Sequence, residues 1–238
     1  MFRKLLIVFA SGLVLSIVAF GAAWVVGGEK LRNDIREGHG VEWHVGDDED
    51  YKGPRKSRTF ALAAGTQLVM EVPVELDFVR GDKAGMVVEG PTAEVDRLVF
   101  ENGHLKLKDG GRDLRHGIKV RITAPQIAGL DFQAPGDVTL SGLDQDEMRL
   151  TSQSAIDLEA QGKVKRMFVT AEGAGNFDLG DVEAEDATVR MDGAGNVVIA
   201  ATGAVDVVLN GVGNVSLLKK PRLLKSAING IGTIDHDY

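Results

Sequence analysis

The chain has 238 residues, 30 of them glycine, no cysteine, 5% aromatic residues and a formal net charge of −8. The missing cysteine excludes disulfides, thiolate metal sites and cysteine nucleophiles, and the acidic balance argues against a nucleic-acid partner and against docking of the whole chain on anionic lipid by charge. Glycine well above its ordinary share of about 7%, with few aromatics, predicts many turns around an interior of small aliphatic side chains.

Arg3 and Lys4 precede an uncharged stretch from Leu5 to Val26. At about 1.5 Å per residue it spans roughly 33 Å, enough to cross a bilayer. Positive charge before the stretch keeps the N-terminus in the cytoplasm and exports the rest. Residues 1–27 are therefore expected to form a signal-anchor or transmembrane helix, placing the chain in a membrane with an extracytoplasmic domain. The small residues around Ala19-Phe20-Gly21 carry the alternative of a cleaved signal peptide and a secreted product. Residues 28–58 show no apolar period and contain the run Asp47-Asp48-Glu49-Asp50. Dense charge without apolar residues predicts a flexible tether.

From Thr59 the pattern becomes β. Leu68, Met70, Val72, Val74, Leu76 and Phe78 alternate, with Pro73 on the opposite phase, where a missing N–H is tolerated. Leu98 and Phe100 lead into Asn102-Gly103, followed by Leu105 and Leu107. Asn-Gly accepts the positive φ angles of a tight hairpin turn. Ile118, Val120 and Ile122 form another alternating strand, closed by Ala124-Pro125. Residues 59–127 are expected to cap the N-terminal end of a coiled repeat that begins at residue 128, since an open coil exposes core and strand edges.

Residues 128–238 carry that repeat. Taking Gly136, Ser154, Gly175, Gly195, Gly213 and Gly232 as equivalent turn residues, the spacings are 18, 21, 20, 18 and 19. A period near 20 with β-type alternation predicts an all-β fold, a single-stranded parallel β-solenoid of six coils. Six and four residues before each turn residue, and two and four after it, the chain is apolar except at Ser226 and His236 in the last coil. These positions share one parity, so they point to one side of their strands. Glycine at the turns removes the Cβ penalty for positive φ and lets neighbouring coils approach. Asn176, Asn196 and Asn214 follow three of these glycines and are expected to stack as an amide ladder.

The intervening parity is polar. On it, Asp157 and Asp178, and Glu172 and Asp192, take equivalent places in adjacent coils in this alignment. Paired carboxylates one coil apart suit a hard cation or glycoside hydrolysis, but a solvated face is the favoured reading, with Arg149 and Arg190 in neighbouring columns softening the repulsion. The five histidines are scattered and show no metal-ligand spacing. The recurring Gly-x-Gly is not followed by a helical pattern, which excludes a dinucleotide fingerprint.

From about Thr59 onward the chain resembles the bacterial GIN-domain family, described as autotransporter adhesin heads. The repeated Gly-x-Gly-Asn turns, the Leu98–Leu107 hairpin and the segment Ile118–Pro125 carry the resemblance. It implies a β-solenoid on an exported, often membrane-tethered protein, with no known reaction or cofactor. Adhesin is itself an inference from architecture, and fold alone does not establish function.

The function expected is therefore non-enzymatic, with no cofactor, catalytic residue or metal. Regular coils offer flat faces on which polar side chains form a two-dimensional array, suited to an envelope polysaccharide, peptidoglycan or a protein ligand. A carbohydrate-active β-helix enzyme and an envelope stress or signalling protein are the alternatives.

Overall fold

The computed structural model describes residues 51–111 and 114–238. The expected signal anchor at 1–27 and residues 28–50 of the tether expected over 28–58 lie outside the described residues; the tether's last residues, from Arg55, instead form the first strand, paired with Gly85–Pro91. Among the described residues no helix is long and apolar enough to cross a membrane.

Four strands come first: β1 (Arg55–Phe60), β2 (Gln67–Met70), β3 (Val74–Arg80) and β4 (Gly85–Pro91). One helical turn, α1 (Thr92–Val95), leads to β5 (Leu98–Glu101), β6 (His104–Leu107) and β7 (Ile118–Ala124). The repeat region supplies β8 (Gly129–Phe132), β9 (Gly136–Ser152), β10 (Ile156–Ala171), β11 (Ala174–Met191), β12 (Ala194–Ala201), β13 (Ala204–Leu209), β14 (Val212–Leu217), β15 (Leu223–Ile228) and β16 (Ile231–His236).

Within β8 to β16 each ladder is parallel. Parallel pairing of consecutive segments is what a coil produces, because residues one period apart stack in the same direction. Val138, Leu158, Phe177, Val197, Val215 and Ile234 form one column. Leu130, Leu150, Val169, Val189, Val207 and Ser226 form another on a second face. All but Ile234 and Ser226 of these are buried, and burying each such aliphatic contributes about 1.5–3 kcal/mol before entropy is counted. β9, β10 and β11 continue round onto a third side, where Gln145, Val164, Ala184 and Ala201 stack. The fold is a parallel β-solenoid in which about five turns separate Gly136 from Gly232.

The ladder corrects the alignment of the second coil. Gly136 pairs with Ile156, and Ile156 with Gly175. The turn residue of that coil is therefore Ile156, and Ser154 instead lies under Gly173. The equivalent positions Gly136, Ile156, Gly175, Gly195, Gly213 and Gly232 are spaced 20, 19, 20, 18 and 19, more evenly than the sequence alignment allowed. Matching small residue to small residue misaligns this coil by two. A shift of two preserves strand parity, so it leaves the inward and outward sides unchanged. It does place Ser152 rather than Leu150 in the core column beside Phe132 and Ala171. Ser152 is buried, and its Oγ donates to the Ser154 carbonyl at 2.9 Å, which satisfies the hydroxyl within its own turn.

Part of the expected cap is itself a rung. β2 stacks on β8 and β3 on β9, with Met70 to Val74 matching Phe132 to Gly136. Beyond it β7 adds to β3 in parallel, and β4 and β1 are added antiparallel. On the other face β6 adds to β2, and β5 closes an antiparallel hairpin. Asn102 and Gly103 hold φ of 53° and 86°, the hairpin turn read from the sequence. β1 ends the ladder with Arg55, Lys56 and Arg58, and charged side chains on an edge strand discourage further pairing.

Candidate functional site

The second face of the coil, carried by β8, β9, β10, β11, β13 and β15, presents its outward residues in columns. Arg149, Phe168, Thr188, Asp206 and Lys225 form one column. Asp131, Thr151, Thr170, Arg190, Val208 and Ala227 form the next.

A groove of about 340 Å³ opens beside the first column. Its middle is lined by Ala187, Thr188 and Ala204, and its ends by Arg166 and Phe168 on one side and Leu223 and Lys225 on the other. Small side chains on the central rungs, with long ones before and after, create the depression. From Phe168 to Lys225 it crosses three rung spacings, about 14 Å at 4.8 Å each.

Phe168 is the organising side chain. The Arg149 guanidinium lies 4.6 Å from its ring centroid, a cation–π contact that fixes the ring at an otherwise wet surface. Glu147 holds both neighbouring cations, accepting from Arg149 Nη2 at 2.9 Å and from Arg166 Nη2 at 3.2 Å. Asp186 Oδ1 accepts from the Ala204 N–H at 2.7 Å, and Asp206 Oδ2 from Lys225 Nζ at 3.2 Å. Each acid of the groove thus has a partner, and the site presents an aromatic plate in a neutralised polar frame.

The turn residues lie along a corner of the same coil. Gly175, Gly195, Gly213 and Gly232 have φ between 144° and 158°. A Cβ on Gly195 would come within 1.7 Å of the Gly175 carbonyl oxygen, so the coils from Gly175 onward close only with glycine at this position. Gly136 sits under Ile156 without positive φ. Asn196 Nδ2 donates to Asn176 Oδ1 at 3.0 Å, and Asn176 Nδ2 to Asp157 Oδ1 at 2.8 Å. Asn214 Oδ1 accepts from Thr233 Oγ1 at 3.1 Å. A second ladder flanks the glycines, where Asn210 donates to Asp192 and Asn229 to Asn210. These contacts hold rungs together.

The carboxylate pairs divide. Glu172 and Asp192 do stack on adjacent rungs, but Asp178 stacks on Glu159, not on Asp157. Among the described residues no group of three or more His, Asp or Glu is placed to hold a metal ion. Among the same residues Asp131 Oδ1 is the one buried carboxylate oxygen without a hydrogen-bond partner. Burial, then the charge of Glu172, push its carboxyl above the usual range, while His104 opposes them. His104 itself pairs with Glu71 at 2.7 Å.

The groove is not legible from the aliphatic periodicity. Its one sequence signal is Phe168, an aromatic on the polar parity, which shares its column with Arg149 once the second coil is realigned.

Residues 66–221 match the family model described as "Putative auto-transporter adhesin, head GIN domain". A crystal structure of a "putative adhesin" from Bacteroides fragilis is similar to this chain, with a TM-score of 0.57 at 19% identity, covering 76% of this chain and 96% of that one. That likeness shows a shared fold. A "putative adhesin" from Parabacteroides distasonis aligns with TM-score 0.44 at 14% identity, over 77% of this chain and 97% of that one. A "Putative lipid binding protein" from the same species aligns with TM-score 0.38 at 16% identity, over 78% and 98%. No curated protein matches the chain.

Proposed function

We propose a non-enzymatic binding role for this chain, which belongs to the head GIN domain family. In this reading the solenoid is an extracytoplasmic display surface, and its second face takes an extended polymer of the cell envelope, a polysaccharide strand first of all. The observation that carries it is the groove beside Phe168, where an aromatic plate sits among paired acids and bases. Sugar rings present C–H faces to an aromatic and hydroxyls to charged side chains, and regular rungs repeat those contacts along the polymer.

Glycoside hydrolysis is less well supported by the same geometry. That chemistry needs one carboxyl free to donate a proton and another free to attack or activate water. Here Asp206 is tied to Lys225, Glu147 to two arginines and Asp186 to a backbone N–H.

A glycan-array screen of the wild-type chain and the Phe168→Ala variant tests the reading. Retention of a glycan class by the wild type, lost in the variant, supports it. Equal retention by both places binding elsewhere, and reducing-end or unsaturated products released from the array would replace binding with catalysis.

A further inference from the structure

The third side of the coil carries charge in stripes. Asp144, Asp146 and Glu147 lie on one rung, Lys163, Lys165 and Arg166 on the next, and Glu183, Glu185 and Asp186 on the next. These stripes neutralise one another through Lys165–Asp146 at 2.6 Å, Lys163–Glu183 at 3.1 Å and Arg166–Glu147 at 3.2 Å. A small, uncharged rung comes next at Ala201-Thr202-Gly203-Ala204, and then Lys219-Lys220-Pro221-Arg222 links β14 to β15.

That last basic stripe is set apart. The uncharged rung separates it from the acidic stripe, and only Arg222 reaches back, to 3.7 Å from Glu185. Lys219 and Lys220 are exposed and enter no ion pair among the described residues. Buried Pro221 pins the link, while Leu218 and Leu223 on either side of it are 39% and 65% exposed. Ile231 on the same final rung is 74% exposed. Residues 218–238 hold four basic residues against Asp235 and Asp237, in a chain of net charge −8.

We propose that this end of the solenoid docks on an anionic lipid surface. Lys219, Lys220 and Arg222 would meet headgroup phosphates, and Leu223 and Ile231 would enter the boundary between headgroups and acyl chains. Basic residues flanked by exposed aliphatics are the combination that binds such an interface. The excess negative charge on the rest of the chain is repelled by the same surface, so only this end approaches it. A second copy is a poorer occupant, because a two-fold contact through this end brings the lysines toward one another. Leu223 also closes one end of the groove, so the two readings share that residue, but the charge and exposure of this end stand without the glycan reading.

The absence of cysteine permits a direct test in the full chain. Leu223→Cys, labelled with an environment-sensitive fluorophore, is mixed with phosphatidylcholine vesicles with or without phosphatidylglycerol; Lys83→Cys labels the opposite end as a control. Local reading by the label separates docking of this end from any insertion of the apolar N-terminal stretch. The expected result is a blue shift at position 223 with phosphatidylglycerol only, reversed by salt and absent at position 83. Adding Lys219→Glu and Lys220→Glu should lower the bound-to-free ratio by at least about 30-fold, while the thermal melt shows that the fold persists. An equal shift on neutral vesicles, a shift without vesicles that tracks protein concentration, an equal shift with soluble polyglutamate, or no effect of the charge reversals in folded protein would each overturn the proposal.

Discussion

Asn196 donates from Nδ2 to Oδ1 of Asn176 on the neighbouring rung at 3.0 Å, and Asn176 passes the pattern on to Asp157 at 2.8 Å. Removing the middle member breaks two links at once. Asn176→Ala is expected to cost about 1–3 kcal/mol, the sum of two side-chain hydrogen bonds at a partly exposed site. Urea unfolding measures it, and an unchanged midpoint would show the ladder to be a passenger of the stacked backbone.

Gly195→Ala should be far more damaging than its size suggests. The added methyl would lie 1.7 Å from the Gly175 carbonyl oxygen, at a φ of 145°. We expect a loss of at least about 3 kcal/mol, from backbone strain and rung separation together. Gly85→Ala has open space around its Cβ and is expected to be neutral or slightly stabilising. Thermal melts of the pair separate steric cause from a general intolerance of mutation.

Val197→Asp places a carboxylate in a column that is fully buried between Phe177 and Val215. With no partner inside the coil, the charge costs several kcal/mol. The variant should lose its cooperative transition, or melt far below the parent; circular dichroism on heating decides.

Asp131 gives a pH signature. Its carboxyl binds a proton more tightly in the folded state than in the unfolded one, through burial first and the charge of Glu172 second. The ionised group therefore weakens the fold at neutral pH, and the penalty lifts as pH falls through the folded-state value. Asp131→Asn should raise Tm by a few degrees at neutral pH, with the gain closing below about pH 4. Asp96, Asp109 and Asp146 have the opposite sign. Hydrogen bonds from Lys56, Arg97 and Lys165 hold them below the usual range, so their contribution is present above the unfolded carboxylate value and lost as pH falls. A Tm-versus-pH comparison of the variant with the parent isolates Asp131 from these three.

Phe168→Ala should leave stability nearly intact, since the ring packs outward against Arg149 rather than in the core. It should reduce retention of an envelope polymer by ten-fold or more if stacking on the ring anchors the chain. Affinity electrophoresis with the polymer in the gel reads the loss, and equal mobility of parent and variant would remove the groove from consideration.

Much of the fold is legible in the sequence because β alternation has a period of two and the coil a period near 20. Leu68 through Phe78, the Asn102-Gly103 turn and the aliphatic columns from Val169 onward need no partner to be recognised. The second coil is misaligned from sequence because Ser152-Gln153-Ser154 contains no glycine to mark the phase. The rung built by β2 and β3 reads as nothing more than a cap because its stacking partners, β8 and β9, lie some 60 residues further along.

Apolar parity assigns the inward side of each strand before any fold is known, because it survives any shift by two. Which residue stands above which is settled by the folded coil. Ladder hydrogen bonds between distant residues set Ile156 under Gly175, Asn176 over Asp157, and small Ala187 and Ala204 between Phe168 and Leu223. Neighbours across rungs make the groove and the charge stripes, and those neighbours are fixed by register, which local pattern does not encode.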